Sequence, residues 1–234
     1  MIRRKRPNIA LGASRMYGLS GIRLSDYKYV FSGFGFATAT TPTLTMLTAG
    51  DLLLVHFQQR SNTPRNVNLP TSTGMTFNTI SNTGAFNDRP YLWYGWVPDS
   101  TPRDVTVTLS GGTGNYLVCA LVYRPIDATT PLDVVATPGT YTASLTPSIP
   151  GITTTTDRAW AFCAISSSDN NNINVTSSGW TRDFYHEING NSCAAVAHKE
   201  FPVAGPTGAI DWQQDISGPD NGEYVNFALR VVQG

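Results

Sequence analysis

Little of this sequence is charged. Only 14% of its 234 residues are Asp, Glu, Lys or Arg, against about 25% in ordinary soluble domains. Its surface must therefore be neutral and polar, built from Ser, Thr, Asn and Gly. Lysine plus arginine and aspartate plus glutamate are equal at 16 each, for a net charge of zero. That balance argues against a nucleic-acid binder working through its whole surface. No apolar run approaches the ~20 residues that span a bilayer. The charged start Met1-Ile2-Arg3-Arg4-Lys5-Arg6 lacks the apolar stretch that would make it a signal peptide. Cysteine is scarce and odd in number: Cys119, Cys163 and Cys193, with no C-x-x-C spacing. Each stands among apolar or small residues, so they read as buried free thiols on strands, in keeping with assembly in a reducing cytoplasm. No segment carries a helical stripe, and fifteen prolines argue against long helices.

The zero net charge hides an asymmetry. Residues 1–28 hold seven basic groups and one acid, a net +6, which leaves −6 on the rest. The chain is a basic arm, residues 1–27, on an acidic body, residues 28–234. The arm is rich in Gly and Ser and has no clear period. Ordering it alone would cost about 1–2 kcal/mol of backbone entropy per residue, so a partner is needed to fix it. Its apolar residues, Ile9, Leu11, Met16, Tyr17, Leu19 and Ile22 among them, are too many for a solvating tail. The arm therefore reads as an interaction element. Arg3, Arg4, Lys5, Arg6, Arg15 and Arg23 supply charge, and Tyr17, Leu19 and Ile22 supply anchors.

At 234 residues the chain can hold one large domain or two small ones. The body reads as strands near 27–36, 51–58, 75–80, 90–97, 104–109, 116–124, 158–166, 179–186, 193–201, 208–214 and 223–232. Turn clusters such as Ser110-Gly111-Gly112-Thr113-Gly114-Asn115 separate them. Short strands at this spacing predict an all-β, two-sheet antiparallel sandwich of jelly-roll-like form. An internal repeat supports it. Thr48–Phe57 matches Thr154–Cys163, aligning Asp51 with Asp157 at an offset of 106. Gly74-Met75-Thr76 matches Gly179-Trp180-Thr181 at 105. Tyr94–Pro98 matches His198–Pro202 at 104, and Tyr116–Leu121 matches Tyr224–Leu229 at 108. Pseudo-halves 28–130 and 131–234 could form one sandwich or two small ones in tandem. With no flexible linker between them, one sandwich is the expectation. The proline-rich stretch 125–151 makes the crossing, and residues 132–135 pair along an edge.

Candidate chemistry is sparse. No two histidines sit at metal-ligand spacing, and alternation puts His56 and His198 on the polar face of their strands. Glycoside hydrolysis would need two converging carboxylates; Asp183 with Glu187 and Asp211 with Asp215 are the available pairs, and nothing in the sequence brings either together. Ser110–Gly114 lies between strands, not before a helix, and so is no phosphate cradle. The loop 166–174 is polar but lacks the spaced acids of a calcium loop. With its counterpart 58–66 it should lie at one end of the body. Arg60, Asn62, Arg65, Asp169, Asn170 and Asn171 are then candidate contacts to sugar or protein. Tyr91, Trp93, Tyr94 and Trp96 load both faces of one strand with aromatics, so one face is core and the other is either covered by another element, the favoured reading, or exposed as a carbohydrate platform or subunit interface. No catalytic residue, metal or cofactor is assigned, and the chain reads as a non-enzyme.

Thr48-Ala49-Gly50-Asp51-Leu52-Leu53-Leu54-Val55, then Gly74-Met75-Thr76, then an aromatic strand ending near Pro98, then Val105–Ser110, form a recurring order. Leu121-Val122-Tyr123-Arg124, with Ile126-Asp127 and Thr130-Pro131-Leu132-Asp133, completes it. Over about residues 45–232 this resembles β-sandwich modules of tailed-bacteriophage virions. The resemblance implies a capsid decoration or cement subunit on the virion, assembled in the host cytoplasm. It implies a homotrimer or other homo-oligomer docked by its arm on the major capsid protein or another virion subunit, with neither nucleic acid nor membrane as partner. The alternative it allows is a tail-fibre or receptor-binding module that recognises host glycan. Arg158-Ala159-Trp160 departs from the leucine-rich pattern and places a bulky Trp at a packing contact.

Overall fold

The computed structural model describes residues 23–60, 66–82, 88–110, 114–135, 138–169, 172–187, 192–215 and 219–232. These residues contain strands and loops and no helix. The first half holds β1 (Arg23–Phe36), β2 (Thr38–Thr40), β3 (Leu52–Arg60), β4 (Asn66–Val67), β5 (Phe77–Ser81), β6 (Asp88–Trp96), β7 (Thr106–Ser110) and β8 (Gly114–Arg124). The second holds β9 (Leu132–Val135), β10 (Gly139–Ser144), β11 (Ser148–Ile149), β12 (Ala159–Ser167), β13 (Ile173–Val175), β14 (Thr181–Glu187), β15 (Cys193–Phe201), β16 (Ile210–Gln214) and β17 (Asp220–Leu229).

Each half folds as a large sheet covered by a small one. The first half orders its large sheet β1-β8-β3-β6-β5 and its small sheet β2-β7-β4. The second half repeats this as β10-β17-β12-β15-β14 and β11-β16-β13, with β9 continuing β10's place along β17. Every observed strand pairing is antiparallel and stays within one half. The two large sheets then pack face to face. Leu52, Leu54, Leu92, Leu117 and Leu121 meet Phe162, Val196, Val225, Phe227 and Leu229 in one core. The result is four layers with three apolar interfaces. The all-β sandwich is as expected, but it is doubled: the tandem arrangement holds within each half, and a shared core joins the halves.

This stacking explains the sequence pattern. Both large sheets are covered on both faces, so their central strands lose polar alternation and read as near-continuous apolar runs. All nine residues of β12 are buried. In β3, Leu52 and Leu54 face the other half, while Leu53, Val55 and Phe57 face the small sheet. The loaded β6 strand divides likewise: Tyr91 and Trp93 enter the first half's own core, whereas Leu92, Tyr94 and Trp96 pack at the shared one.

The repeat survives in three dimensions. Gly74 and Gly179 both turn at positive φ, 72° and 79°, where glycine alone is unstrained. Next to them Met75 N–H bonds Ser72 O and Trp180 N–H bonds Ser177 O. The stagger of β8 on β3 and of β17 on β12 fits the offsets 106 and 108. The offset of 104 for β6 misses the observed stagger by two residues, which keeps each side chain on its face. Across the shared core Tyr29 of β1 lies 5.8 Å from Phe184 and 4.3 Å from His186 of β14. Since β14 is the counterpart of the far-edge strand β5, the halves are arranged as a pseudo-twofold axis along the strands would place them.

Four sequence expectations need revision. His56 points into the shared core and is fully buried, because β3 has no polar face. His198 also faces that core. Residues 23–27, assigned to the arm, belong to β1. The short strands β2, β4, β10, β11 and β13 were not foreseen, whereas residues 132–135 do pair along an edge, as β9.

Candidate functional site

Of the arm residues singled out from sequence, Arg3, Arg4, Lys5, Arg6, Arg15, Tyr17, Leu19 and Ile22 lie outside the described residues. Arg23 opens β1, exposed and paired in register with Arg124. The body is therefore entered along an edge strand of its five-stranded sheet.

Beside this entry runs a groove of about 720 Å³ lined by Leu24 to Tyr29 with Pro42 and Met46. Its walls are held firmly. Asp26 accepts hydrogen bonds from the N–H groups of Thr45 (3.0 Å) and Met46 (3.1 Å). Burial opposes the ionisation of Asp26, yet these N–H groups and Lys28 hold its carboxyl below the usual carboxylate range. Arg124 donates to Met46 O (2.6 Å), Thr48 Oγ1 (2.9 Å) and Asp51 (2.6 Å). The Met46 backbone is thus clamped from both sides while its side chain stays 58% exposed. Tyr27 and Tyr29 are 47% and 39% exposed on the same strand. All three line the groove, beside the point where the basic segment enters β1.

The strand ends that lead into the two amide-rich loops lie together, as their repeat positions require. Gln58 Nε2 donates to Ser192 Oγ (2.6 Å), and Ser192 Oγ donates to Ser167 O (2.7 Å). That tie joins the ends of β3 and β12. Arg60 is the last residue of β3, and Asp169 is half-buried just beyond β12. Asn62, Arg65, Asn170 and Asn171 lie outside the described residues, as do residues 111–113 of the glycine-rich loop.

The carboxylate pairs do not converge. Asp183 is turned inward, where one of its oxygens accepts from Tyr123 (2.8 Å) and meets His198 Nδ1 (2.6 Å), while Glu187 accepts from Tyr185 (3.2 Å). Asp211 binds Ser148 Oγ and Asp215 binds Asn172 N–H. Trp160 stacks on His198 at 4.3 Å, which is the packing role its sequence position implied. This Tyr123–Asp183–His198 network ties the two halves at their seam. All three cysteines are buried and free. Burial pushes the thiols of Cys119 and Cys163 up, against ionisation. Among the described residues no group of three His, Cys, Asp or Glu side chains is placed to hold a metal.

A second groove, of about 750 Å³, was not foreseen from sequence. It lies on the first half at the rim of the small sheet, between residues 40–43, 71–74 and 99–106. Seven of its lining residues carry hydroxyls. Arg103, itself buried, ties its walls together by donating to Thr73 O (2.7 Å), Thr101 O (3.1 Å) and Asp99 (2.5 Å). Thr101 N–H and then Arg103 hold the Asp99 carboxyl below the usual range.

Comparisons with protein-family models, characterised proteins and solved structures return no match.

Proposed function

We propose that this chain is a structural subunit of a bacteriophage virion, a capsid decoration or cement protein docked through its N-terminal arm. The observation that carries the proposal is segregation of charge onto an entry strand. A segment with five basic residues and no acid, residues 1–22, runs directly into β1, whose exposed Tyr27 and Tyr29 line a groove with Met46. The basic residues 3–6 pair with acids on the major capsid protein or another virion subunit. Tyr17, Leu19 and Ile22 bury apolar area there, at roughly 25 cal/mol per Å² removed from water. The doubled, three-core body serves as a rigid load rather than as a catalyst. Copies gathered around a symmetry axis gain avidity from several arms at once.

A second reading, a receptor-binding module of a tail fibre, draws on the hydroxyl-lined groove. The arm separates the two. Replacing Arg3, Arg4, Lys5 and Arg6 together by Glu should abolish binding to phage particles stripped of accessory proteins, and binding of the unaltered chain should weaken steeply with added salt. Unchanged, salt-insensitive binding by the variant would remove the arm's charge from the mechanism.

A further inference from the structure

We infer that the groove between residues 40–43, 71–74 and 99–106 is a binding site for a neutral, polyhydroxylated ligand, that is, a saccharide. This stands on the groove alone and holds or fails independently of the arm. Charge comes first. Arg103 is the one cation among the described residues of the lining, and its guanidinium is already engaged by Asp99 and two carbonyls. Asp104 adds a further exposed carboxylate. An anionic ligand would find no free cation there and one acid against it. Nor does the lining offer an aromatic or aliphatic pocket for an apolar side chain.

What remains is hydroxyl chemistry. Thr40, Thr43, Thr71, Ser72, Thr73, Thr101 and Thr106 supply groups that both donate and accept, which complements a sugar's own hydroxyls. A carboxylate such as Asp104 accepts from two neighbouring hydroxyls at once. Thr40 Oγ1 and Thr106 Oγ1 lie 2.8 Å apart across the two strands, exposed to solvent.

The repeat supplies an internal control. Ser72 and Ser177 hold the same turn position in the two halves. Ser177 Oγ accepts from Asp211 N–H (2.8 Å), so its hydroxyl is used by the fold. Ser72 Oγ, though shielded, has no hydrogen-bond partner among the described residues, and Thr106 N–H is taken by Thr71 O instead (2.9 Å). The first half thus leaves unused at this groove a hydroxyl that the second half spends on its own backbone.

The test is an amide-resolved NMR titration of the full chain with glucose, galactose and N-acetylglucosamine, and separately with inorganic phosphate. At least one sugar should shift the amides of 71–74 and 99–106 saturably, and phosphate should not. Asp104→Asn, and Thr40→Val with Thr106→Val, should each weaken that sugar roughly tenfold, the order of one or two hydrogen bonds. Thr108→Val, on the same sheet but outside the groove, should leave it unchanged. Thr40 and Asp104 are exposed and Thr106 and Thr108 half-buried, and the spectrum itself reports whether each variant keeps the fold. Failure of all three sugars, binding unaffected by the groove variants, or preferential binding of phosphate would each overturn the inference while leaving the arm proposal untouched.

Discussion

His56 shows how far a single residue departs from what local pattern implies. Alternation along β3 puts it opposite Val55 and Phe57, and an ordinary surface strand would then expose it. Here both faces are covered, so the imidazole sits in the shared core with neither nitrogen hydrogen-bonded among the described residues. Burial pushes its pKa down to about 4 from 6.5. Between those values the unfolded chain binds a proton that the folded chain refuses. Stability is therefore full above about pH 6.5 and falls as pH drops toward 4, by about 3 kcal/mol from this residue. His56→Leu should flatten that part of a urea-denaturation profile measured against pH. An unchanged profile would show that the ring is hydrated or partnered in solution. The thiols give a simpler check. Cys119, Cys163 and Cys193 should be silent to a thiol reagent such as Ellman's in the native protein, and all three should react in denaturant. Prompt reaction of any one in the native state would contradict its burial.

Among the elements, β1 matters most, and its boundary was the least legible. The composition of the arm runs smoothly into residues 23–27, so nothing local marks where the sheet begins. The mark is nonlocal: Asp26 reaches the backbone of Thr45 and Met46. Its counterpart is Asp133 on β9, which accepts from Thr155 N–H (2.6 Å) and from the hydroxyls of Thr155 and Thr156. In both halves a first-strand aspartate therefore fastens the loop leading to the central strand. Asp26→Ala should cost about 1–3 kcal/mol, the range for stranding buried donors, whereas deletion of residues 2–22 should leave the melting temperature within a few degrees. Equal melting of all three proteins would refute this role for Asp26. The long central strands were legible because they are apolar and bounded by turn clusters. The short strands β2, β4, β11 and β13 were not, since two or three residues carry no period and take their form from partners. The hydroxyl-lined groove was hidden for a related reason. Its three segments each read as an ordinary Thr- and Ser-rich loop, and only the fold brings them together.

At the scale of the whole molecule, the repeat was visible but its assembly was not. Four landmarks in order pointed to two equivalent halves. Whether those halves share sheets or merely a core depends on hydrogen-bond partners far apart in sequence. The shared core, sealed by Tyr123–Asp183–His198 at one place and Gln58–Ser192 at another, makes the halves interdependent. Calorimetry should show one cooperative transition, and Phe162→Ala, which opens a cavity at the seam, should lower stability by about 3–5 kcal/mol. Two resolved transitions would mean that the halves fold as separate domains. In the proposed function, docking on the virion belongs to the segment that precedes the body, separate from the saccharide groove inferred on the small sheet. The most direct measurement is co-sedimentation of the intact chain, and of the chain lacking residues 2–22, with phage particles stripped of accessory proteins. The intact chain should pellet with the particles, and the shortened one, still folded by its melting curve, should remain in the supernatant. Equal pelleting of the two would contradict the account and transfer the function to the faces of the sandwich.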